Sequence, residues 1–168
     1  MKQISRFLFL PMLAMLAFTA CDSDDDIPAN EVPLSYKTAL SSMYPDAVKV
    51  EWERDGGYYV ADFARFGHDY DVWFGSEATW AMTEIDNGNT LEGLPSGLIV
   101  AFANSEYGYV PDYTLDQVKE YQRPSGTFYV IEVEPNKGGA DVYLFYGPDG
   151  TLLRTSTVDI DIRPDFSI

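Results

Sequence analysis

Cysteine and histidine are nearly missing from this chain of 168 residues, which holds one of each, Cys21 and His68. A lone cysteine closes no internal disulfide and builds no Cys/His zinc site. His68 stands between Gly67 and Asp69 in a predicted turn, so a Ser-His-Asp or Cys-His nucleophile would have to be assembled at a loop tip. It reads instead as a solvated turn residue. There is no Gly-x-Ser-x-Gly segment and no glycine-rich phosphate loop ahead of a helix. Positive charge is scarce as well, with 11 Lys and Arg against 27 Asp and Glu and a net charge of −16. Such a surface repels phosphate backbones and excludes nucleic acid as a partner. It favours basic partners, through a long-range attraction that salt weakens.

Long apolar runs are absent apart from Phe7 to Ala20, which carries no charge. That stretch falls short of the roughly 20 residues needed to span a bilayer and fits the core of a signal peptide, with Lys2 and Arg6 as its positive start. It ends in Phe18-Thr19-Ala20-Cys21. Small residues just before the only cysteine resemble the lipobox of bacterial lipoproteins, where cleavage precedes a lipidated cysteine. Phe18 departs from the usual Leu, Val or Ile, and is too bulky for ordinary secretory cleavage. The reading is a signal peptide over 1–20 and Cys21 as the lipidation site. Several acyl chains, each buried methylene contributing about 0.8 kcal/mol, then supply the only contact with the membrane. Asp22-Ser23-Asp24-Asp25-Asp26, followed by Pro28 and Pro33, makes 21–33 an acidic, self-repelling tether. The acidic run resembles the surface-export signal of Bacteroidetes lipoproteins, which places the protein at the outer membrane, on the cell surface or the periplasmic face. Without residues 1–20, 9 basic residues remain against 27 acidic ones. Roughly 135 residues follow the tether, enough for one core or two small ones sharing an interface.

An internal duplication organises that part. Tyr59-Val60-Ala61-Asp62-Phe63 matches Tyr129-Val130-Ile131-Glu132-Val133, and Asp71-Val72-Trp73-Phe74 matches Asp141-Val142-Tyr143-Leu144 at the same offset. Gly75 to Trp80 matches Gly147 to Leu152, and Ser42 to Pro45 matches Ser105 to Gly108. The order of the blocks is kept, which chance matches would not do. The expected units are 34–90 and 91–168.

Each unit opens with a helix. Tyr36, Ala39, Leu40 and Met43 share one face before Pro45; Leu98, Ala101, Phe102 and Ser105 share another after Pro95. Strands follow. Val48, Val50 and Trp52 alternate with Lys49, Glu51 and Glu53, and Asp55-Gly56-Gly57 supplies a hairpin turn. Tyr58 to Phe66, Asp69 to Phe74 and Thr79 to Ile85 continue the meander, with Gly67-His68 as a turn. In the second unit the last strand is expected to run on through Val158, Ile160 and Ile162, with Asp159 and Asp161 between them. Short turns imply an antiparallel α+β meander with the helices on one face.

A helix ending near Tyr-Pro, a Trp-bearing strand, Gly56-Gly57-Tyr58-Tyr59-Val60 and a closing Gly-x-x-x-Thr turn resemble the PepSY-like, β-lactamase-inhibitor-like lipoproteins of Bacteroidetes. The resemblance covers about 33–160. It implies two tandem helix-plus-four-strand repeats, an eight-stranded sheet with both helices on one side, and an open, slightly concave face on the other. It implies neither inhibition of a β-lactamase nor any residue-by-residue contact motif.

Alternation assigns Tyr59, Ala61, Phe63, Val72 and Phe74 to the core, with Tyr129, Ile131, Val133, Val142 and Leu144 as their equivalents. The other side carries Asp62, Asp71, Glu132 and Asp141 together with Val60, Trp73, Val130, Tyr143 and Phe145. Large aromatics beside carboxylates on a solvent-facing sheet are typical of contact surfaces. The expected binding residues are therefore Trp73, Tyr143, Phe145, Asp71, Asp141 and Glu132. Against this stands plain cross-strand packing, or pairing of that face in a homodimer. The leading reading is a non-enzymatic protein- or peptide-binding module, its partner basic or aromatic-accepting, with no cofactor and no metal. The alternatives are a self-associating envelope component, a calcium-dependent module using Asp22 to Asp26, Asp69 with Asp71 or Asp159 with Asp161, and a carboxylate hydrolase. No acidic stretch has the EF-hand loop pattern, and a meander is expected to offer a face where a hydrolase needs a cleft.

Overall fold

The computed structural model describes residues 25–108 and 111–168; the leader, Cys21 and residues 22–24 of the tether lie outside the described residues. In chain order the elements are β1 (Asp25–Asp26), α1 (Leu34–Met43), β2 (Glu51–Asp55), β3 (Tyr58–Arg65), β4 (His68–Phe74) and β5 (Trp80–Asp86). The second half continues with α2 (Ser96–Ala103), β6 (Tyr113–Arg123), β7 (Gly126–Pro135), β8 (Val142–Tyr146) and β9 (Leu152–Ser156). The strands lie in one sheet in chain order, each antiparallel to the next. Eight of them form the expected meander, and the two-residue β1 adds part of the tether to its edge.

Proline positions both helices. Pro33 and Pro95 occupy the N-caps, where their fixed φ and missing N–H cost nothing. Helix α1 buries Leu40 on Trp52, Ala61, Phe63, Val72 and Phe74; α2 buries Leu98 and Phe102 on Val118, Ile131, Val133 and Leu144. The register puts both helices on one side. Ile85, in the α1 cluster, is opposite Glu120, which is opposite Tyr129 of the α2 cluster. The α2 cover is close: a Cβ on Gly150, at φ +87°, would stand 2.5 Å from the Gly97 carbonyl oxygen. Only glycine lets the helix start rest on the β8–β9 turn. Strands β5 and β6 join the halves, from Thr83 opposite Gln122 to Asp86 opposite Lys119.

Four expectations are corrected. Val48 is exposed and Lys49 has φ +55°, so the strand expected from Val48 begins at Glu51. The turn between β3 and β4 pivots on Phe66 and Gly67, both at positive φ, and His68 is the first residue of β4. The expected block matching is out of step with the strand register by two residues in its second block. Val72 is opposite Ala61, whereas Leu144 is opposite Ile131, so Trp73 has Phe145 as its counterpart where sequence matching assigned Tyr143. The longer β7–β8 connection absorbs the difference. Finally, β9 ends at Ser156, and the segment after it crosses back over the sheet.

Candidate functional site

Alternation along β2–β8 sends one set of side chains away from the helices. At the centre of that second face lie Val60, Trp73, Met82, Tyr121, Phe128, Val130 and Phe145. Residues 157–168, which have no regular secondary structure, cover them with Ile160, Ile162 and Phe166. The face expected to be open is thus closed at its middle: Trp73 is 7% exposed and Phe145 1%. The alternation of Val158, Ile160 and Ile162 with aspartates reflects a strap that turns its isoleucines onto the sheet.

Two arginines fasten the strap. Arg163 pairs with Asp161 at 2.8 Å and with the buried Asp55 at 3.0 Å. Arg123, at the end of β6, donates to the carbonyls of Phe166 (2.6 Å) and Arg163 (2.8 Å). Its guanidinium also lies over the Phe128 ring. Bonds to charged donors are roughly twice as strong as neutral ones, so this attachment is specific although the segment is irregular.

Carboxylates flank the apolar centre in cross-strand register. Glu51 is opposite Asp62, Asp62 opposite Asp71, and Asp71 opposite Glu84, which is opposite Tyr121. Like charges placed directly across a sheet are destabilising. Burial, reinforced by Glu84, Asp62 and Glu53 and opposed by Lys119, pushes the Asp71 carboxyl up to about 7. Burial also raises Asp62, with Asp69 and Glu51 adding to it. Lys119 answers the row, its Nζ 2.6 Å from Glu84. Burial works against its charge, yet Glu84 and the neighbouring aspartates hold its pKa above the ordinary lysine value.

Between β4–β8 and the strap lies a cavity of about 310 Å³. Trp73, Tyr121, Tyr143 and Phe145 form aromatic walls, and Glu84, Lys119, Glu132, Asp159 and Asp161 supply charge. Tyr143, opposite Glu132, donates its hydroxyl to that carboxylate. Burial raises the Glu132 carboxyl, an effect the Tyr143 bond partly offsets. The expectation that the meander offers only a face is corrected here too: the strap turns the face into a lined cavity. The Trp73 indole N–H is buried without a hydrogen-bond acceptor.

Of the residues expected to bind, Trp73, Tyr143, Phe145 and Glu132 line this cavity. Asp71 stands beside it through Glu84, and Asp141 faces Glu132 electrostatically from the residue just before β8. Glu84, Lys119 and Tyr121 were not singled out by the sequence reading. Their signal, alternation along β5 and β6, was legible, but their meeting depends on the β5–β6 pairing. Asp159 and Asp161 belong to the strap. Among the described residues no three of His, Cys, Asp and Glu are arranged to hold a metal ion, so neither Asp69 with Asp71 nor Asp159 with Asp161 forms such a group. Among them, too, no helix is long and apolar enough to cross a membrane.

Comparison with known proteins adds the following. The family model described as "Putative beta-lactamase-inhibitor-like, PepSY-like" matches residues 57–154. A solved structure from Bacteroides fragilis, described as a BLIP-like protein, is 32% identical, with TM-score 0.69 over 82% of this chain and 93% of that one. A DUF2874 family protein from Bacteroides uniformis is 32% identical, with TM-score 0.67 over 74% and 88%. A protein from Bacteroides eggerthii, described as periplasmic, is 34% identical, with TM-score 0.66 over 74% and 88%. No curated protein matches the chain.

Proposed function

Since this chain belongs to the PepSY-like, β-lactamase-inhibitor-like family, we propose that it is a non-catalytic, extracytoplasmic module that captures a basic protein or peptide segment on the strap-covered face. The observation that carries this reading is the carboxylate row Glu51, Asp62, Asp71 and Glu84, held in register beside buried aromatics at a cost to stability. A fold keeps such repulsion where a cationic partner relieves it. Of the cavity carboxylates, Glu84 pairs with Lys119 and Asp161 with Arg163, whereas Glu132, among the described residues, accepts only the Tyr143 hydroxyl and keeps its charge for a cation. Inhibition of an enzyme is one form that capture takes. The charged start, the apolar run and Cys21 support export and lipid anchoring at the outer membrane, in line with the periplasmic description of the Bacteroides eggerthii relative.

The test titrates the protein with an arginine-rich peptide and a glutamate-rich one of equal length, at low and high salt. Tight, salt-sensitive binding of the basic peptide alone is expected, with an Asp71→Asn, Glu132→Gln double variant weakening it by about tenfold or more. Equal binding of the acidic peptide, or an unaffected double variant, sinks the reading. Self-association is the second reading. It is favoured by β9, last in the sheet order, which exposes Leu152 and Leu153. A sedimentation series that depends on concentration, and that Leu153→Lys abolishes, would establish it.

A further inference from the structure

The cavity beneath the strap has the size, charge and unsatisfied donor of a site for one side chain. Its volume of about 310 Å³ lies at the lower end of the roughly 300–1,000 Å³ typical of ligand sites. That is room for one long side chain with its adjoining peptide group. Four carboxylates line it against a single lysine. Two of them are ion-paired, Glu84 with Lys119 and Asp161 with Arg163. Among the described residues no cation pairs with Glu132 or Asp159. The walls fit a basic side chain as well: Trp73, Tyr121, Tyr143 and Phe145 can cover an aliphatic stem and face a cation with their rings.

A second observation, independent of the acids, concerns Trp73. Its side chain lines the cavity and is more than nine-tenths buried, yet its indole N–H has no acceptor. Buried donors are nearly always paired, so an unpaired one in a native fold calls for an explanation, and at a cavity wall a ligand acceptor supplies one. A carboxylate cluster alone would accept any small cation. The idle N–H asks in addition for an acceptor, and a basic residue within a peptide brings both a cation and a carbonyl oxygen.

We propose that this cavity receives one arginine or lysine side chain of an extended peptide, its cationic head between Glu132 on the sheet and Asp159 on the strap, and a peptide carbonyl accepting the Trp73 N–H. The strap is then the second wall of the site and shifts to admit the ligand. This assignment rests on the reading of the face as a capture surface for basic segments, and it sharpens that reading to a single pocket.

Three small probes titrated into the full chain by calorimetry separate the demands: N-acetyl-L-arginine amide, its neutral isostere N-acetyl-L-citrulline amide, and butylguanidinium, which keeps the charge but lacks the carbonyl. The arginine amide is expected to bind at least about tenfold more tightly than the citrulline amide, since charge-assisted bonds are the stronger ones. It should also exceed butylguanidinium by several-fold. Trp73→Phe, which keeps the aromatic wall, should erase that second difference while leaving the first. Glu132→Gln should weaken the arginine amide by about tenfold, with an unchanged circular dichroism spectrum as the folding control. Citrulline amide binding as well as arginine amide, or no arginine binding at about 10 mM, overturns the pocket, that ceiling being weaker than millimolar affinity. If the arginine-rich peptide of the preceding test binds while the small probes do not, the pocket falls and the capture face stands. Binding of the arginine amide without the peptide upholds the pocket and removes the capture face.

Discussion

The two faces of this sheet are both apolar at their centres, but they are closed by different means. On one side α1 and α2 present regular helical stripes, Leu40 and then Leu98 with Phe102. On the other, twelve irregular residues lie over Trp73, Met82 and Phe145, tied down by Arg163 and Arg123 and bordered by repelling carboxylates. The first arrangement is what burial alone produces. The second combines burial with like-charge repulsion, a raised carboxyl and an idle buried N–H, costs that packing does not require. Both faces bury apolar side chains, and the like-charge repulsion and the idle donor that mark a site lie on the strap side alone.

The largest expected effect tests whether the strap side is core at all. Phe145→Ala should destabilise the protein by about 3–5 kcal/mol, comparable to Leu98→Ala on the helix side at about 2–5 kcal/mol. Denaturant unfolding measures both, and a Phe145 change costing much less would return that face to the surface. Next comes pH. The folded pKa of Asp71 is about 7, above its unfolded value, so between roughly pH 4 and 7 the native state holds the proton more tightly than the unfolded chain. Stability should therefore rise on acidification through that window, by on the order of 2–4 kcal/mol, and Asp71→Asn should flatten the rise. Asp62 and Glu132, raised in the same direction, add to it. A curve falling monotonically from pH 7 to pH 4 would refute the strained row.

Arg163→Met should cost about 2 kcal/mol, somewhat below the range for breaking a fully buried pair, because Arg163 is partly exposed while Asp55 is not. Hydrogen exchange should then speed up in residues 157–168 and on β4, while α1 and α2 keep their protection. Equal loosening of the helices would mean that the two faces are not separable units. The smallest effect is expected at the sheet edge, where Leu153→Lys should change stability by no more than about 0.5 kcal/mol.

The legibility of these features follows from their range. Strands β3, β4, β7 and β8 were readable because two-residue alternation and glycine turns are local, and both helices were marked by prolines and apolar spacing. The sidedness of Asp71, Trp73, Glu132, Tyr143 and Phe145 followed from the same alternation. Val48 misled because its alternation continues β2, while the positive φ at Lys49 breaks it. The two-residue offset in the second matched block could not be seen, since a longer hairpin shifts the register without disturbing the order of similar residues.

The sequence by itself determined the strands, the helices and the side of the sheet to which each residue points, because period and turn chemistry act between near neighbours. It also determined the acidic excess, which needs only counting. Tertiary structure alone decided that residues 157–168 leave the sheet and return across it, that Glu84 meets both Asp71 and Lys119, and that an exposed face becomes a roofed cavity. An alternating segment such as Val158 to Ile162 satisfies the same local rule whether it lies in the sheet or on top of it. Only the unfilled apolar centre between Trp73 and Phe145, assembled from residues far apart in the chain, distinguishes the two.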